Sequence, residues 1–185
     1  MRFTRGPFSK GRLVYLSPPE LSSVENYLKW FNDPEVTKYL AVYFPVNSFC
    51  ERQYIENASR AGDQVPFDIF LVENDRHIGN AALVQIDWVN RKCMFGIAIG
   101  EKDCWGKGYG SEAAELCVKY AFDRLNLHRV GLEVYDYNKR GLRAYEKAGF
   151  EVEGHEKESK YLDGAYHNTI IMSIINTRDG QGETR

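Results

Sequence analysis

A glycine-rich stretch near the middle of the chain, residues 103–112, constrains the fold more than any other segment. It reads Asp-Cys-Trp-Gly-Lys-Gly-Tyr-Gly-Ser-Glu, with glycines at the alternate positions 106, 108 and 110. The run before it, 93–99, favours a strand, and the apolar residues after it recur at helical spacing. Because the first amides of a helix have no intrahelical partner, and glycine leaves room for a phosphate beside them, this arrangement predicts an anion site.

The spacing of the glycines does not say which phosphate such a site would bind. It fits neither Gly-x-x-x-x-Gly-Lys-Ser/Thr nor Gly-x-Gly-x-x-Gly, the patterns of P-loop and dinucleotide-binding proteins. On this stretch alone, a turn that only redirects the chain explains the glycines equally well. A nucleotide- or phosphate-binding domain of an unrelated fold is a further alternative.

The composition is that of one soluble globular domain. The chain has 185 residues, of which 43% are hydrophobic and 27% charged. A formal net charge of −2 argues against broad binding of nucleic acid, and no apolar run approaches membrane-spanning length. The basic N-terminus lacks the apolar core of a signal peptide. Since the cysteines form no C-x-x-C pair and the histidines lack metal-ligand spacing, we expect a cytoplasmic protein with reduced thiols and no metal.

Hydrophobic periodicity predicts an alternation of strands and helices along the chain. Strands are predicted at 11–16, 68–73, 78–87, 93–99, 129–135, 150–161 and 165–175, and helices at about 17–31, 35–40, 49–60, 108–125 and 138–148. We interpret residues 1–185 as one domain whose polar tail, from about residue 177, is frayed.

Residue types at the predicted boundaries supply the capping and turn signals. Ser48 and Glu51 match a capping box at the start of the third helix. Asn138 is predicted to cap the last helix, and Gly149 fits the position after its end. The dipeptide Asp163-Gly164 is a strong hairpin signal between the last two strands.

The element order and two motifs resemble the GNAT superfamily of acetyl-CoA-dependent N-acyltransferases. The glycine loop resembles that family's Gln/Arg-x-x-Gly-x-Gly/Ala motif, and residues 138–150 resemble its second motif, Asn…Tyr-x-Lys-x-Gly-Phe. Residues 30–36 and 163–172 resemble the RimJ/RimL branch, so the resemblance covers nearly the whole chain. It implies an α/β (α+β) fold whose mixed sheet of about seven strands splays between the fourth and fifth, 93–99 and 129–135, with about four to five flanking helices.

The chain departs from the family pattern at four positions. Trp105 stands where the superfamily usually has Gln or Arg, although tryptophan there resembles the RimJ/RimL branch. Met94 occupies the place of a glutamate that can serve as base on the fourth strand. Asn168 replaces a common aspartate, and Gly141 replaces a frequent serine near the cofactor. The missing glutamate leaves the base of the reaction open.

By resemblance, the pantetheine arm of acetyl-CoA lies between the splayed strands, and its pyrophosphate rests on the loop amides. Lys107, Lys139 and Arg140 are candidates for the 3′-phosphate of CoA, with a solvated surface position as the ordinary explanation for each. The predicted cofactor-binding residues are Ile97, Ile99, Gly100, Trp105, Gly106, Lys107, Gly108, Tyr109, Gly110, Ser111, Asn138 and Arg140.

The predicted general acid is Tyr145, which lies two helical turns after Asn138 and therefore on the same helix face. A phenol stays protonated at neutral pH and can donate to a leaving thiolate, whereas a core aromatic is the structural alternative. We expect water to remove the amine proton, with Glu133 as the second candidate. Glu133 has its own structural alternatives, since it would otherwise face solvent or pair with Arg129.

The acceptor site is expected between the first helices and the last hairpin. Its candidate walls are Trp30, Tyr43, Phe44, Tyr161 and Tyr166, although most aromatic side chains of this kind lie in the core. By resemblance the acceptor is a protein N-terminal amine of ribosomal-protein type, with a polyamine or aminoglycoside as alternatives. Because Met94 replaces the usual glutamate, a non-catalytic CoA-binding module is the remaining alternative. A homodimer is a family-level expectation, and we expect no nucleic acid or membrane partner.

Overall fold

Eight strands form one sheet in the computed structural model, which describes residues 5–58, 60 and 62–177. The strands are β1 Ser9–Lys10, β2 Val14–Ser17, β3 Val65–Leu71, β4 His77–Asp87, β5 Lys92–Ile99, β6 Arg129–Tyr135, β7 Glu151–Leu162 and β8 Ala165–Ile175. The helices are α1 Val24–Phe31, α2 Pro34–Thr37, α3 Ser48–Ala58, α4 Tyr109–Asp123 and α5 Lys139–Lys147. The order across the sheet is β1-β2-β3-β4-β5-β6-β8-β7, and only β5 and β6 are parallel neighbours. The predicted tail from residue 178 onward lies outside the described residues.

The mixed sheet confirms the predicted fold class and adds one short strand at its N-terminal edge. We predicted a first strand at 11–16, but β2 begins at Val14 because the preceding residues form the turn of a β1–β2 hairpin. The Glu112 carboxylate holds this turn by accepting hydrogen bonds from the amides of Arg12, Leu13 and Val14, at 3.0, 2.7 and 2.7 Å. The first turn of α4 is thereby joined to the edge of the sheet.

The helix starts differ from two of our predictions. Residues 21–23 form a 3₁₀ turn, so that α1 begins only at Val24. The predicted capping box at Ser48 and Glu51 is wrong, because the carboxamide oxygen of Asn47 accepts from the amides of residues 49 and 50, both at 3.0 Å. Asn47 satisfies free helical amides in the same way that a serine cap would.

The second half of the chain follows the predicted turn chemistry. The Asn138 side chain accepts from the amide of Gly141 at 2.9 Å and so caps α5, as predicted. Gly149, just beyond that helix, has φ of +92°, which is the left-handed conformation expected there. Asp163 and Gly164 both have positive φ, +50° and +85°, as a two-residue hairpin turn requires.

Two apolar clusters pack on opposite faces of the sheet. The larger one lies under α4, whose buried residues are mostly small and allow close approach to the strands. The smaller one gathers α1, α2 and α3 around Trp30 and Tyr27. No helix in the described ranges combines the length and the apolar character that crossing a membrane requires.

A buried carboxylate fixes α1 to the sheet. Asp68 of β3 is fully buried and accepts hydrogen bonds from Tyr27, at 2.5 Å, and from Ser23 and Arg5, while His77 lies 3.2 Å away. Burial alone would raise the pKa of Asp68, but the hydrogen bonds from His77, Ser23 and Tyr27 outweigh it and lower the pKa. The helix that carries Trp30 is therefore held in one position.

We predict that Gly100→Ala destabilises the protein. A Cβ at Gly100 would lie 2.0 Å from the Trp30 ring, and the Gly100 amide donates to the Ile78 carbonyl at 2.9 Å, so the backbone has little room to move. Overpacking of this kind lowers the free energy of unfolding by about 2 kcal/mol. Gly96→Ala in β5 is the matched control, because a Cβ there meets nothing within 4 Å. Urea denaturation of both variants measures the difference, and equal midpoints would contradict this packing.

Candidate active site

The central strands separate after a short paired segment. β5 and β6 are paired at three positions only, ending at Met94 and Gly131. Beyond these residues β5 continues to pair with β4 and β6 continues to pair with β8, so the two facing edges have no strand partner. Backbone amides and carbonyls require hydrogen-bond partners, and an extended ligand can supply them in the manner of an added strand.

A cavity of about 530 Å³ lies beside the free edge of β5, between the glycine loop and α5. It contains eleven of the twelve predicted cofactor residues, all except Gly100, together with the predicted acid Tyr145. Its lining residues are Val36, Tyr39, Leu40, Ile97, Ala98, Ile99, Cys104, Trp105, Gly106, Lys107, Gly108, Tyr109, Gly110, Ser111, Asn138, Arg140, Gly141, Arg143, Ala144, Tyr145 and Lys147. The two sequence motifs therefore form opposite sides of one cavity.

The glycine loop presents the start of α4 to this cavity. Gly106 and Gly108 have φ of +75° and +87°, conformations that side chains other than glycine rarely adopt. In the described chain no side chain caps α4, and the first helical bond runs from the Glu112 amide to the Gly108 carbonyl at 3.1 Å. The amides of Tyr109, Gly110 and Ser111 precede that bond, so they are available to an anion.

Ion pairs fix the segment that leads into the loop. The Glu101 carboxylate accepts from Trp30 Nε1 at 2.8 Å and from Lys29 Nζ at 2.5 Å, and it also binds Arg76. Burial would raise the pKa of Glu101, but these donors outweigh it and lower the pKa. Arg76 also bridges to Asp103 at 2.7 Å. The loop is therefore anchored to α1 and to the turn that precedes β4 before any ligand binds.

Trp105 gives Arg140 a surface on which to stack inside the cavity. Its indole nitrogen donates to the Ile99 carbonyl at 2.6 Å, which fixes the ring against the end of β5. The Arg140 guanidinium lies 3.8 Å from the centroid of a Trp105 ring and 5.1 Å from that of Tyr39. Burial lowers the pKa of Arg140 below its ordinary value. The departure from Gln or Arg at position 105 thus replaces a polar side chain with a platform for a cation.

The cavity is suited to a polyanion. Lys107, Arg140, Arg143 and Lys147 are among its lining residues, which include no aspartate or glutamate. We missed Arg143 and Lys147 in the sequence, although with Arg140 they recur at the spacing of one face of α5. Lys139, the other candidate for the 3′-phosphate, is exposed and does not line the cavity. This lining fits the phosphates of CoA, and the parted strands fit its extended arm.

Tyr145 faces the cavity from α5 and is also packed. Its ring lies 6.4 Å from that of Phe95 and 6.1 Å from that of Phe150. Burial raises the pKa of Tyr145 to about 12, with a small opposite effect from Arg140. The phenol therefore keeps its proton throughout the physiological range.

Two predicted site residues belong to the core instead. Trp30 is 1% exposed and packs within the smaller cluster, so it cannot form a wall of an acceptor site. Gly100 is excluded from the cavity because it packs against Trp30 and donates its amide to Ile78. Both corrections have one cause, the packing of α1 onto the end of β5.

The remaining acceptor candidates separate into two groups. Tyr43 and Phe44 are exposed on the connection between α2 and α3, and Phe44 is 82% accessible. Tyr166 pairs with Tyr161 across the last hairpin, with ring centroids 5.1 Å apart. Lys160, which packs against Tyr43, directly precedes Tyr161 on β7. Because neighbouring strand residues point to opposite faces, Tyr161 and Tyr166 face away from the side of the sheet that carries Lys160 and Tyr43. The structure does not bring Tyr166 together with Tyr43.

Glu133 lies exposed on β6, two residues beyond the last pair with β5. Strand alternation puts it on the same face as Gly131 and Tyr135, and it does not line the cavity. The suggested pairing with Arg129 is wrong, since that guanidinium pairs with Glu153. Among the described residues no three His, Cys, Asp or Glu side chains form a group that could hold a metal ion.

Three comparisons with known proteins agree with this geometry. The family model described as "Acetyltransferase (GNAT) domain" matches residues 13–151. "Probable N-acetyltransferase YjcK" of Bacillus subtilis (strain 168) is 30% identical over 180 residues, covering 93% of this chain and 99% of that protein. The "Spermidine N(1)-acetyltransferase" of Escherichia coli (strain K12) is 38% identical over 107 residues, 57% of each chain.

The fold is also similar to that of a relative whose structure was solved with bound ligands. The spermidine N-acetyltransferase of Vibrio cholerae in complex with CoA and spermine superposes with a TM-score of 0.78 at 26% identity, covering 88% of this chain and 95% of that one. The chain belongs to the GNAT family, and it is an acetyl-CoA-dependent N-acetyltransferase.

Proposed function

We propose that this enzyme acetylates a protein N-terminal amine and that Tyr145 acts as general acid. The observation that supports the proposal is that one cavity joins the unpaired amides of α4, four cations and the Tyr145 side chain. When bound, acetyl-CoA supplies an acetyl thioester that an amine can attack. The protein contributes the alignment of two reactants, which is worth several kcal/mol of the barrier.

Each part of the cavity has a distinct task in this proposal. The amides of Tyr109, Gly110 and Ser111 bind the pyrophosphate, and the cations of α5 neutralise its charge. The unpaired edge of β5 near Ile97 holds the extended arm by backbone hydrogen bonds. With the ligand fixed along its length, the reacting carbonyl has one position.

Proton transfer follows from the groups around that position. Tyr145, whose pKa is about 12, gives its proton to the departing thiolate. The attacking amine must lose a proton. We assign water as the base that accepts this proton, with Glu133 as the alternative. The exposed position of Glu133 is compatible with either route, because solvent reaches it directly.

The acceptor side supports a peptide more than an enclosed small molecule. Tyr43 and Phe44 form an open aromatic rim that can contact several residues of an extended chain. A polyamine is the second candidate, because similar proteins from Escherichia coli and Vibrio cholerae are spermidine acetyltransferases.

A panel of acceptors with acetyl-CoA, followed by release of free thiol, tests this proposal. We expect turnover with peptides that have a free N-terminus and none with the same peptides after N-terminal blocking. Spermidine, spermine and an aminoglycoside form the small-molecule arm. Binding of CoA without turnover on any amine would contradict the enzymatic assignment and favour a non-catalytic module.

We predict that Tyr145→Phe lowers kcat by roughly 10²-fold and leaves KM for acetyl-CoA nearly unchanged, because only the proton donor is lost. The wild-type kcat should show no alkaline decline below about pH 10, since the Tyr145 pKa is about 12. Thiol release measured across pH tests both points. Tyr120→Phe is the control, as Tyr120 packs against Phe67 at 5.6 Å. If Tyr145→Phe kept full turnover at every pH, the acid assignment would be wrong.

We predict that removing the cations of α5 weakens CoA binding. Arg143→Gln together with Lys147→Gln should raise the Kd for CoA roughly tenfold at low salt, and less at high salt because the charges are exposed. Calorimetric titration measures the Kd. Lys139→Gln on the same helix is the matched control, since Lys139 is exposed and outside the cavity lining. An equal loss of affinity in the control would contradict the specific role of this face.

A further inference from the structure

β7 buries one side chain along its twelve residues, and that side chain is a lysine. Lys160 is 5% exposed, whereas the other residues of the strand are exposed or partly exposed. Lysine is rarely buried unless it is paired, because removal of an ammonium from water is unfavourable. A buried lysine on an otherwise solvent-facing strand therefore requires an explanation beyond packing.

An irregularity in the strand turns Lys160 inward. The β7–β8 register shifts between residues 156 and 160, and Glu158 has φ of +52°, which is uncommon for a residue other than glycine. The Asn168 side chain accepts from the Glu158 amide at 2.9 Å, and Ser159 bonds to the Thr169 hydroxyl at 2.7 Å. Such bulges re-aim side chains and occur next to functional sites.

The Lys160 ammonium lies between two tyrosines and has no carboxylate partner. Its Nζ is 4.2 Å from the ring centroid of Tyr43 and 4.6 Å from that of Tyr135. No ion pair to Lys160 occurs within the part of the chain that the structure describes. The Asp136 carboxylate accepts from the Asn168 amide at 3.0 Å and lies 3.6 Å from His167. Among the described residues, no aspartate or glutamate is paired with the charge of Lys160.

A continuous row of tyrosines connects this charge to the cofactor cavity. Tyr135 stacks on Tyr137 with centroids 5.5 Å apart, and Tyr137 lies 6.1 Å from Tyr39, which lines the cavity. Glu133 precedes Tyr135 by two residues on the same face of β6. Lys160 is thus linked to the cofactor cavity through the rings of Tyr135, Tyr137 and Tyr39.

We infer that Lys160 determines acceptor specificity. Because a buried charge is screened little, its ammonium disfavours a second positive charge on the acceptor without contacting it. A peptide acceptor can present one amine with no second positive charge beside it, whereas a polyamine always carries another amine. The inference rests on the proposed transfer to a protein N-terminal amine, and it adds a means of rejecting polycations, since like charges brought together oppose binding.

The experiment compares kcat/KM for a peptide with a free N-terminus and for spermidine, with acetyl-CoA and thiol detection. The wild type should prefer the peptide, and Lys160→Gln should lower the peptide-to-spermidine ratio at least tenfold. Lys160→Arg retains the charge and should restore most of that ratio. Lys157→Gln is the matched control, since Lys157 is exposed on the same strand. Melting curves recorded with CoA show which variants are folded. If Lys160→Gln does not fold, Lys160→Met takes its place, because methionine is of similar length and uncharged.

The outcomes separate the inference from the proposed function. A folded Lys160→Gln variant with an unchanged ratio would overturn the inference and leave the proposed peptide acceptor intact. A wild type that prefers spermidine would overturn both the inference and the peptide acceptor, and leave only the acetyltransferase activity. A wild type that binds CoA but acetylates neither acceptor would instead overturn the proposed function. A ratio that falls in Lys160→Gln and returns in Lys160→Arg supports the assignment, because loss of packing alone would reduce both activities together.

Discussion

The separation of β5 from β6 after three paired residues is the constraint on which the site depends. Each strand keeps its other neighbour, so the sheet remains continuous while two facing edges lose their hydrogen-bond partners. Those backbone groups need partners, and an extended ligand supplies them. The start of α4 stands at the end of the same opening, with its first amides also unpaired. A ligand bound along this edge would therefore complete hydrogen bonding that the fold leaves unfinished.

The two sides of the enzyme are joined by the segment that precedes the glycine loop. Glu101 binds α1 through Lys29 and Trp30, and Lys102 pairs with Asp33 at the start of α2 at 2.8 Å. The helices on either side of Tyr43 and Phe44 are therefore joined to the segment that leads into the glycine loop. The loop is therefore ordered before a ligand binds, so binding costs less conformational entropy.

The sequence predicts what depends on local chemistry, and less of what depends on packing. Glycines before a helix predict an anion site, and the capping role of Asn138 follows from its position, because both effects act within a few residues. Trp30 could not be assigned to the core from its neighbours alone, since its burial results from α1 meeting β5. The burial of Lys160 could not be predicted from the sequence either, because a bulge in β7 decides the direction of its side chain.

Amide hydrogen exchange reports on the backbone groups that the separated strands and the start of α4 leave unpaired, and so it measures whether CoA binds them. We predict that CoA slows exchange at Tyr109, Gly110 and Ser111 and along β5 beyond Met94, while the turn at residues 88–91 is unaffected. If CoA bound and these amides exchanged at the rate of the free protein, the ligand would lie elsewhere in the molecule.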